Sequence, residues 1–331
     1  MPSQQLIKNS SQPKYKQIIA GIENAIRNGE LKQGDQLPSL NTIKEKYNLS
    51  RDTVIMAFND LKSRGIIRSV VGKGYYVKTE KVELQYKIFL LFDELNAFKE
   101  DLYNGFLEGL NDKAQVDIFF HHFNHDVFKS IIQENAGAYN YYVIMPANLK
   151  EASSVIGQLP KEQVFILDQL HDQLASYASI HQNFSVNMFK GLEQLKQDVL
   201  KYNQLVLVFN ETKQPIGLRE GFEKFCQHNQ LNFEMKDNVD SVLKTETLYV
   251  SLDDTNLISL IKQMKIQGLE MGKEIGILCY NDTPLKEIVE GGITAISTNF
   301  AKMGSEMSRM ILEGKRLNIE SPLEVINRNS L

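Results

Sequence analysis

Ser50, Arg51 and Thr53 stand together in "LSRDTVIMAFNDLKSRG", and shortly after it Lys73 sits between Gly72 and Gly74 in "VVGKGYYV". Hydroxyls and a guanidinium at a helix start suit phosphate oxygens, and an arginine can span guanine O6 and N7 with two hydrogen bonds. Glycines on both sides of a lysine let the backbone approach a polyanion while the ammonium supplies charge. A second set of polar residues is spread over the rest of the chain. Asp93 and Glu94, Asp168 and Gln169, Asn210 and Glu211, Asp253 and Asp254, and Asn281 and Asp282 each follow an apolar run. Converging carboxylates and amides suit a polyhydroxylated solute, because each hydroxyl both donates and accepts. Singly, each is explained as well by a helix cap or a turn.

The elements that must position the first set can be read from periodicity. Tyr15, Ile18, Ile19, Ile22, Ala25 and Ile26 form one apolar stripe, which predicts a helix from Pro13 to a stop at Gly29. Ser39 can cap a short second helix with Ile43 and Tyr47 inward. Ser50 can cap a third, with Val54, Ala57, Phe58 and Leu61 buried and Gly65 as its end. Residues 66–71 and 75–77 alternate like two strands around "VGKG". Three helices and a two-stranded wing predict a winged helix-turn-helix, whose third helix offers its first turn to the major groove. Ser39, Ser50, Arg51, Thr53, Gly72, Lys73 and Gly74 are then the DNA-facing candidates. Charge agrees: residues 1–81 carry a balance of +7 and the remainder −11, within a net charge of −4. Such a division suggests a polyanion partner for the first part alone.

Behind this module the pattern changes. "KIFLLF", "VDIFFHH", "YYVIMP", "VFILD", "QLVLVFNE", "TLYVS" and "EIGILCY" read as strands, most of them apolar enough to be buried on both faces, and amphipathic stretches separate several of them. Alternation of this kind predicts a doubly wound parallel α/β fold, long enough for two lobes, with ligands beyond the carboxyl ends of the strands. The expected division is a DNA-binding domain at 1–79, a linker at 80–86 and a ligand domain at 87–331.

Two resemblances sharpen this. "QLPSLNTIKEKYNLSRDTVIMAFNDLKSRGIIRSVVGKGYYV" resembles the GntR-family DNA-binding domain at Leu37, Pro38, Ser39, Ser50, Arg51, Thr53, Val54, Leu61, Gly65, Ile67, Gly72, Gly74, Tyr76 and Val77. It departs at Ile55, where the family often has arginine, and at Leu40 and Asn41, where it often has a charge. "YVSLDDTNLISLIKQMKIQGLEMGKEIGILCYNDTPLKEIVEGGITAIS" and the tail "LEVINRNSL" resemble the LacI/GalR effector domain, which has the two-lobed periplasmic-binding-protein fold. That resemblance implies effector contacts from Asp168, Asp253 and Asn281. Arg219 lies one residue out of step with the family's arginine. With no tryptophan in the chain, Phe184 is the candidate to stack on a sugar ring, and Asp93 and Asp254 complete the candidate set. The resemblances together imply a ligand-responsive transcription regulator that binds operator DNA as a homodimer and takes a small effector, most simply a monosaccharide. Its expected location is cytoplasmic.

Other chemistry finds little support. His121, His122 and His125 in "HHFNH" lack a fourth-ligand pattern for zinc. "GKG" lacks the Walker spacing, and no Gly-x-Ser-x-Gly or Ser-His-Asp arrangement is visible. Cys226 and Cys279 cannot make a disulfide framework and are expected as buried thiols. The polar start "MPSQQLIKNSSQPKYK" has no apolar signal region, and no run is long enough to span a membrane. No cofactor and no enzymatic activity are expected. The alternative is a winged helix fused to an α/β enzyme domain acting on a small metabolite.

Overall fold

The computed structural model describes residues 13–80 and 86–331. The linker expected at 80–86 falls, apart from its two ends, outside them, and the domain limits stand as a proposed division.

The first helices are α1 (Lys14–Arg27), α2 (Leu40–Tyr47) and α3 (Arg51–Ser63), followed by the strands β1 (Ile67–Val70) and β2 (Gly74–Val77). The apolar stripes meet as anticipated: Ile18, Ile22, Ile43, Val54, Phe58 and Leu61 share one core with Ile66, Ile67 and Val77. Phe58 meets Tyr75 edge-to-face at 4.8 Å, which ties α3 to the hairpin. β1 and β2 pair antiparallel from Ile67 opposite Val77 to Val70 opposite Gly74. This head is a winged helix.

The elements that follow are β3 (Tyr86–Phe92), α4 (Ala97–Leu110), β4 (Ala114–Phe120), α5 (His125–Asn135), β5 (Tyr141–Ile144), α6 (Ala152–Ile156), β6 (Val164–Asp168) and β7 (Ala178–His181). Next come α7 (Phe184–Gln194), α8 (Lys196–Val199), β8 (Gln204–Val208), α9 (Ile216–His228), β9 (Asn232–Lys236), β10 (Thr247–Ser251), α10 (Asp254–Gln267), β11 (Ile275–Tyr280), α11 (Pro284–Ile288) and β12 (Thr294–Ser297). The chain ends through α12 (Phe300–Glu313), β13 (Asn318–Glu320) and β14 (Glu324–Ile326). One six-stranded sheet has the order β13-β7-β6-β5-β3-β4 and the other β14-β12-β11-β10-β8-β9. The chain therefore passes between the sheets after β7, after β12 and after β13. The second sheet is parallel except where β14 runs against β12.

One compact unit holds the described residues up to Leu90 together with Asn111–Ile118 and Ile132–Tyr142. The other holds Leu91–Leu110, Phe119–Ile131 and Val143–Leu331. In the second unit α4 and α12 lie backbone to backbone. A Cβ on Gly304 would stand 2.0 Å from the Leu102 carbonyl, so this position admits nothing larger than glycine.

Some boundaries differ from the pattern reading. The amphipathic stretch at 101–114, which reads as a helix, is one at Ala97–Leu110, because the Asn96 side chain accepts the Lys99 N–H at 3.2 Å and starts it a turn early. Asn111 and Asp112, both with positive φ, stop it. The strands β7, β9, β12 and β13 are short and had no separate signal. Cys226 and Cys279 are buried, and burial pushes both thiols up to about 12.

Candidate DNA-binding and ligand-binding sites

Ser50 caps α3: its Oγ accepts the Thr53 N–H at 3.1 Å and lies 2.7 Å from the Thr53 hydroxyl. Ser39 and Thr42 repeat the arrangement at α2 with the same two distances. Both serines stay exposed, so each can bond its own helix while its hydroxyl edge faces outward. Arg51 opens α3 and is exposed, at the end where the helix dipole is positive.

In the wing the Lys73 N–H returns to the Val70 carbonyl at 3.0 Å, closing a tight turn. Gly72 and Gly74 have φ of 74° and 105°, which L-residues rarely adopt, so the turn needs them. Sequence reading missed Gln36. Its Nε2 donates to the Lys73 carbonyl at 2.7 Å, and Leu37 N–H bonds the Tyr75 carbonyl at 2.9 Å, so the segment before α2 braces the wing. A lone glutamine in a turn carries no pattern that could have revealed this. Lys73, Gly72 and Gly74 are exposed at the tip. Lys73→Ala is expected to lower the salt slope of DNA binding by about 1 while leaving sequence preference unchanged. A salt titration checks it.

The second candidate set lies at strand ends. Asp93 directly follows β3 and is buried, with the buried Lys99 ammonium of α4 against its carboxylate. Asp168 ends β6 with φ of 68°, and Gln182 donates to it at 2.7 Å. The Tyr280 hydroxyl at the end of β11 donates to Gln182 at 3.1 Å, so one chain of hydrogen bonds runs from the first sheet to the second. Burial pushes Asp168 above the usual carboxylate range against the opposing pull of Lys99. Phe184 opens α7, is buried, and lies 6.2 Å from the Tyr280 ring.

Asp253 caps α10, accepting Asn256 N–H at 2.8 Å, and receives Gln214 at 3.1 Å. Asn148, from the first sheet's side, donates to the Gln214 carbonyl at 2.6 Å and accepts from Gln169 at 2.6 Å. Asp254 turns toward the buried Lys286, whose ammonium lies 3.2 Å from it and 2.7 Å from the Asn281 carbonyl. Asn281 has φ of 63°, and its buried Oδ1 finds no partner among the described residues. Arg219 sits on α9, 3.9 Å from Glu211, with its guanidinium over the Phe209 ring.

The structure thus joins Asp93, Lys99, Asp168 and Gln182 at one end, and Asp253, Gln214, Asp254, Lys286 and Asn281 at another. Arg219 enters neither hydrogen-bond chain. Lys99, Gln182, Gln214 and Lys286 were missed, since a lysine on a helix or a glutamine in a connection reads as solvated. The three clustered histidines go separate ways. His121 is buried with Nε2 3.1 Å from the Met145 carbonyl, His122 stacks on Phe120, and His125 pairs with Asp126.

The raised Asp168 carboxyl has a thermodynamic consequence. Its folded form holds a proton more tightly than the unfolded chain, so the associated stability is present at acid pH and is lost as pH rises through the raised value. Asp168→Asn cannot ionise. Its melting temperature relative to the parent is expected to rise from about pH 4 to about pH 7. A difference constant with pH would show that Asp168 titrates normally.

Against this geometry the likeness to known proteins can be set. The model of bacterial regulatory proteins of the gntR family matches residues 14–77. The chain is 43% identical over 84 residues to the mannosyl-D-glycerate transport/metabolism system repressor MngR of Escherichia coli, which takes in 25% of this chain and 34% of MngR. With other relatives the shared stretch is as little as 14% of their length. To the transcriptional repressor YtrA of Bacillus subtilis the chain is 35% identical over 98 residues, 30% of this chain and 72% of YtrA. The arabinose metabolism transcriptional repressor of Geobacillus stearothermophilus aligns over 93% of this chain and 92% of its own at 21% identity. Among solved structures, a LacI family transcriptional regulator of Lactobacillus casei with bound glucose superposes with a TM-score of 0.61 at 14% identity, over 74% of this chain and 99% of that one. That likeness concerns fold, and it identifies the larger part as periplasmic-binding-protein-like. From the match at 14–77 and the identity spanning most of YtrA, this chain belongs to the gntR family of bacterial regulatory proteins.

Proposed function

We propose that the protein is a ligand-responsive transcription regulator. Its winged helix binds operator DNA as a homodimer, and the polar groups at the strand ends of its larger part bind a small effector, most simply a monosaccharide. The observation that carries the reading is the exposed Arg51 at the start of α3 beside a braced Gly-Lys-Gly hairpin, on a chain that also buries carboxylates and amides at strand ends. Asp93, Asp168, Asp253 and Asn281 are the proposed effector contacts, with Phe184, Arg219 and Asp254 at their margins. A similar domain holding glucose and a relative named for arabinose metabolism support a sugar. A symmetric dimer with two heads calls for a pseudo-palindromic operator. The effector changes DNA affinity only by as much as its affinity differs between two states of the dimer.

The test is calorimetric titration of the full chain with pentoses, hexoses and their phosphates. One sugar is expected to bind saturably, and Asp168→Ala to abolish its heat while leaving the head's DNA binding intact. Saturable binding unaffected by Asp168→Ala removes that residue from the site, and no binding by any sugar rejects the effector class.

A further inference from the structure

The carboxyl-terminal end of α3 is held as closely as its amino-terminal end is free. Arg64 follows α3, and its guanidinium lies 2.6 Å from Glu23 of α1 and 3.2 Å from Asp60. The same guanidinium lies over the ring of Tyr86, the first residue of β3, at 5.2 Å. Asn140, only 2% exposed, donates to the Ser63 hydroxyl at 2.6 Å. Its side-chain Oδ1 accepts the Lys87 N–H at 2.8 Å and its backbone N–H donates to the Lys87 carbonyl at 2.8 Å, so both its side chain and its backbone are fastened to β3. Tyr86 and Tyr141 pack at 5.5 Å beside it. Burial raises Asp60 and lowers Lys16, as expected where charges are withdrawn from water into one cluster.

We propose that α3 is itself the lever between ligand domain and DNA: Asp60, Ser63 and Arg64 latch its far end onto Tyr86 and Asn140, and its near end carries Arg51. A chain tethered only by a linker has no reason to bury a polar, charged contact of this kind. Hydrophobic contact tolerates sliding, whereas buried charges and hydrogen bonds are satisfied in one orientation, so such a junction specifies geometry more than it adds stability. Thirteen residues of helix span roughly 20 Å, so a tilt of about 10° at the latch moves Arg51 by roughly 3 Å, enough to break a hydrogen bond to a base. Movement at the start of β3 and β5 therefore reaches the DNA-reading turn through the Tyr86 and Asn140 contacts.

Spin labels at Gln33→Cys and Lys113→Cys in the full chain, diluted with unlabelled protein, test the latch by pulsed electron resonance. Both positions are exposed and both native thiols are buried. The parent is expected to give one narrow distance peak. Asn140→Ala combined with Tyr86→Leu is expected to lose it, and because neither residue belongs to the head, the head's own fold and its Arg64 pairs survive. Arg64→Ala gives the same loss from the other side. A broad distribution in the parent, or a peak unchanged in the double variant, overturns the proposal. The outcome does not depend on what the ligand site binds.

Discussion

Arg51→Ala is expected to weaken binding to the specific operator by about 1–3 kcal/mol, roughly 5- to 150-fold in affinity, and to relax preference at one base position. Arg51 is exposed in the first turn of α3, the turn that would lie nearest base edges with α3 in the major groove, and the Ser50 cap keeps that turn in place. The alanine variant keeps the cap and the helix, so the loss reports the guanidinium alone. A gel-shift titration on specific and scrambled duplexes checks it. An equal loss on both would make Arg51 a phosphate contact, and no loss would remove α3 from the groove.

Lys99→Met is expected to cost about 3–5 kcal/mol of folding stability, because it leaves the buried Asp93 carboxylate without its counter-charge. Lys99 is 4% exposed and Asp93 8% exposed, so water cannot readily take the ammonium's place. The backbone N–H of Glu94 already bonds Asp93 at 2.7 Å and is one donor where the lysine supplies a full charge. Replacing both, as Lys99→Met with Asp93→Asn, is expected to recover most of the loss, since a neutral amide needs no cation. Denaturant unfolding of the two variants measures this. A single variant as stable as the parent would mean that Asp93 is solvated. The same pair also bears on the proposed ligand site, because the Lys99 charge opposes the rise that burial imposes on Asp168.

Much of the head was legible because its signals are local. Caps at Ser39 and Ser50, the 3.6-residue stripes and the glycine turn are properties of consecutive residues, and the structure realises each of them. The parallel sheets were also legible, since a strand buried on both faces is a run of apolar side chains. The boundary of α4 was misplaced because Asn96 caps a turn earlier than the apolar stripe begins.

The order of residues by itself determined the head's helices and hairpin, most of the longer strands, where charge collects, and that polar groups terminate those strands. Those follow from interactions between near neighbours. Tertiary structure alone decided that Lys99 and Lys286 are buried counter-charges, that Gln36 braces the wing, that Gln182 links Asp168 to Tyr280, and that Asn140 grips the end of α3. Each of these depends on where a side chain points once the elements have packed, and a lysine or an amide looks the same in sequence whether water or a partner awaits it.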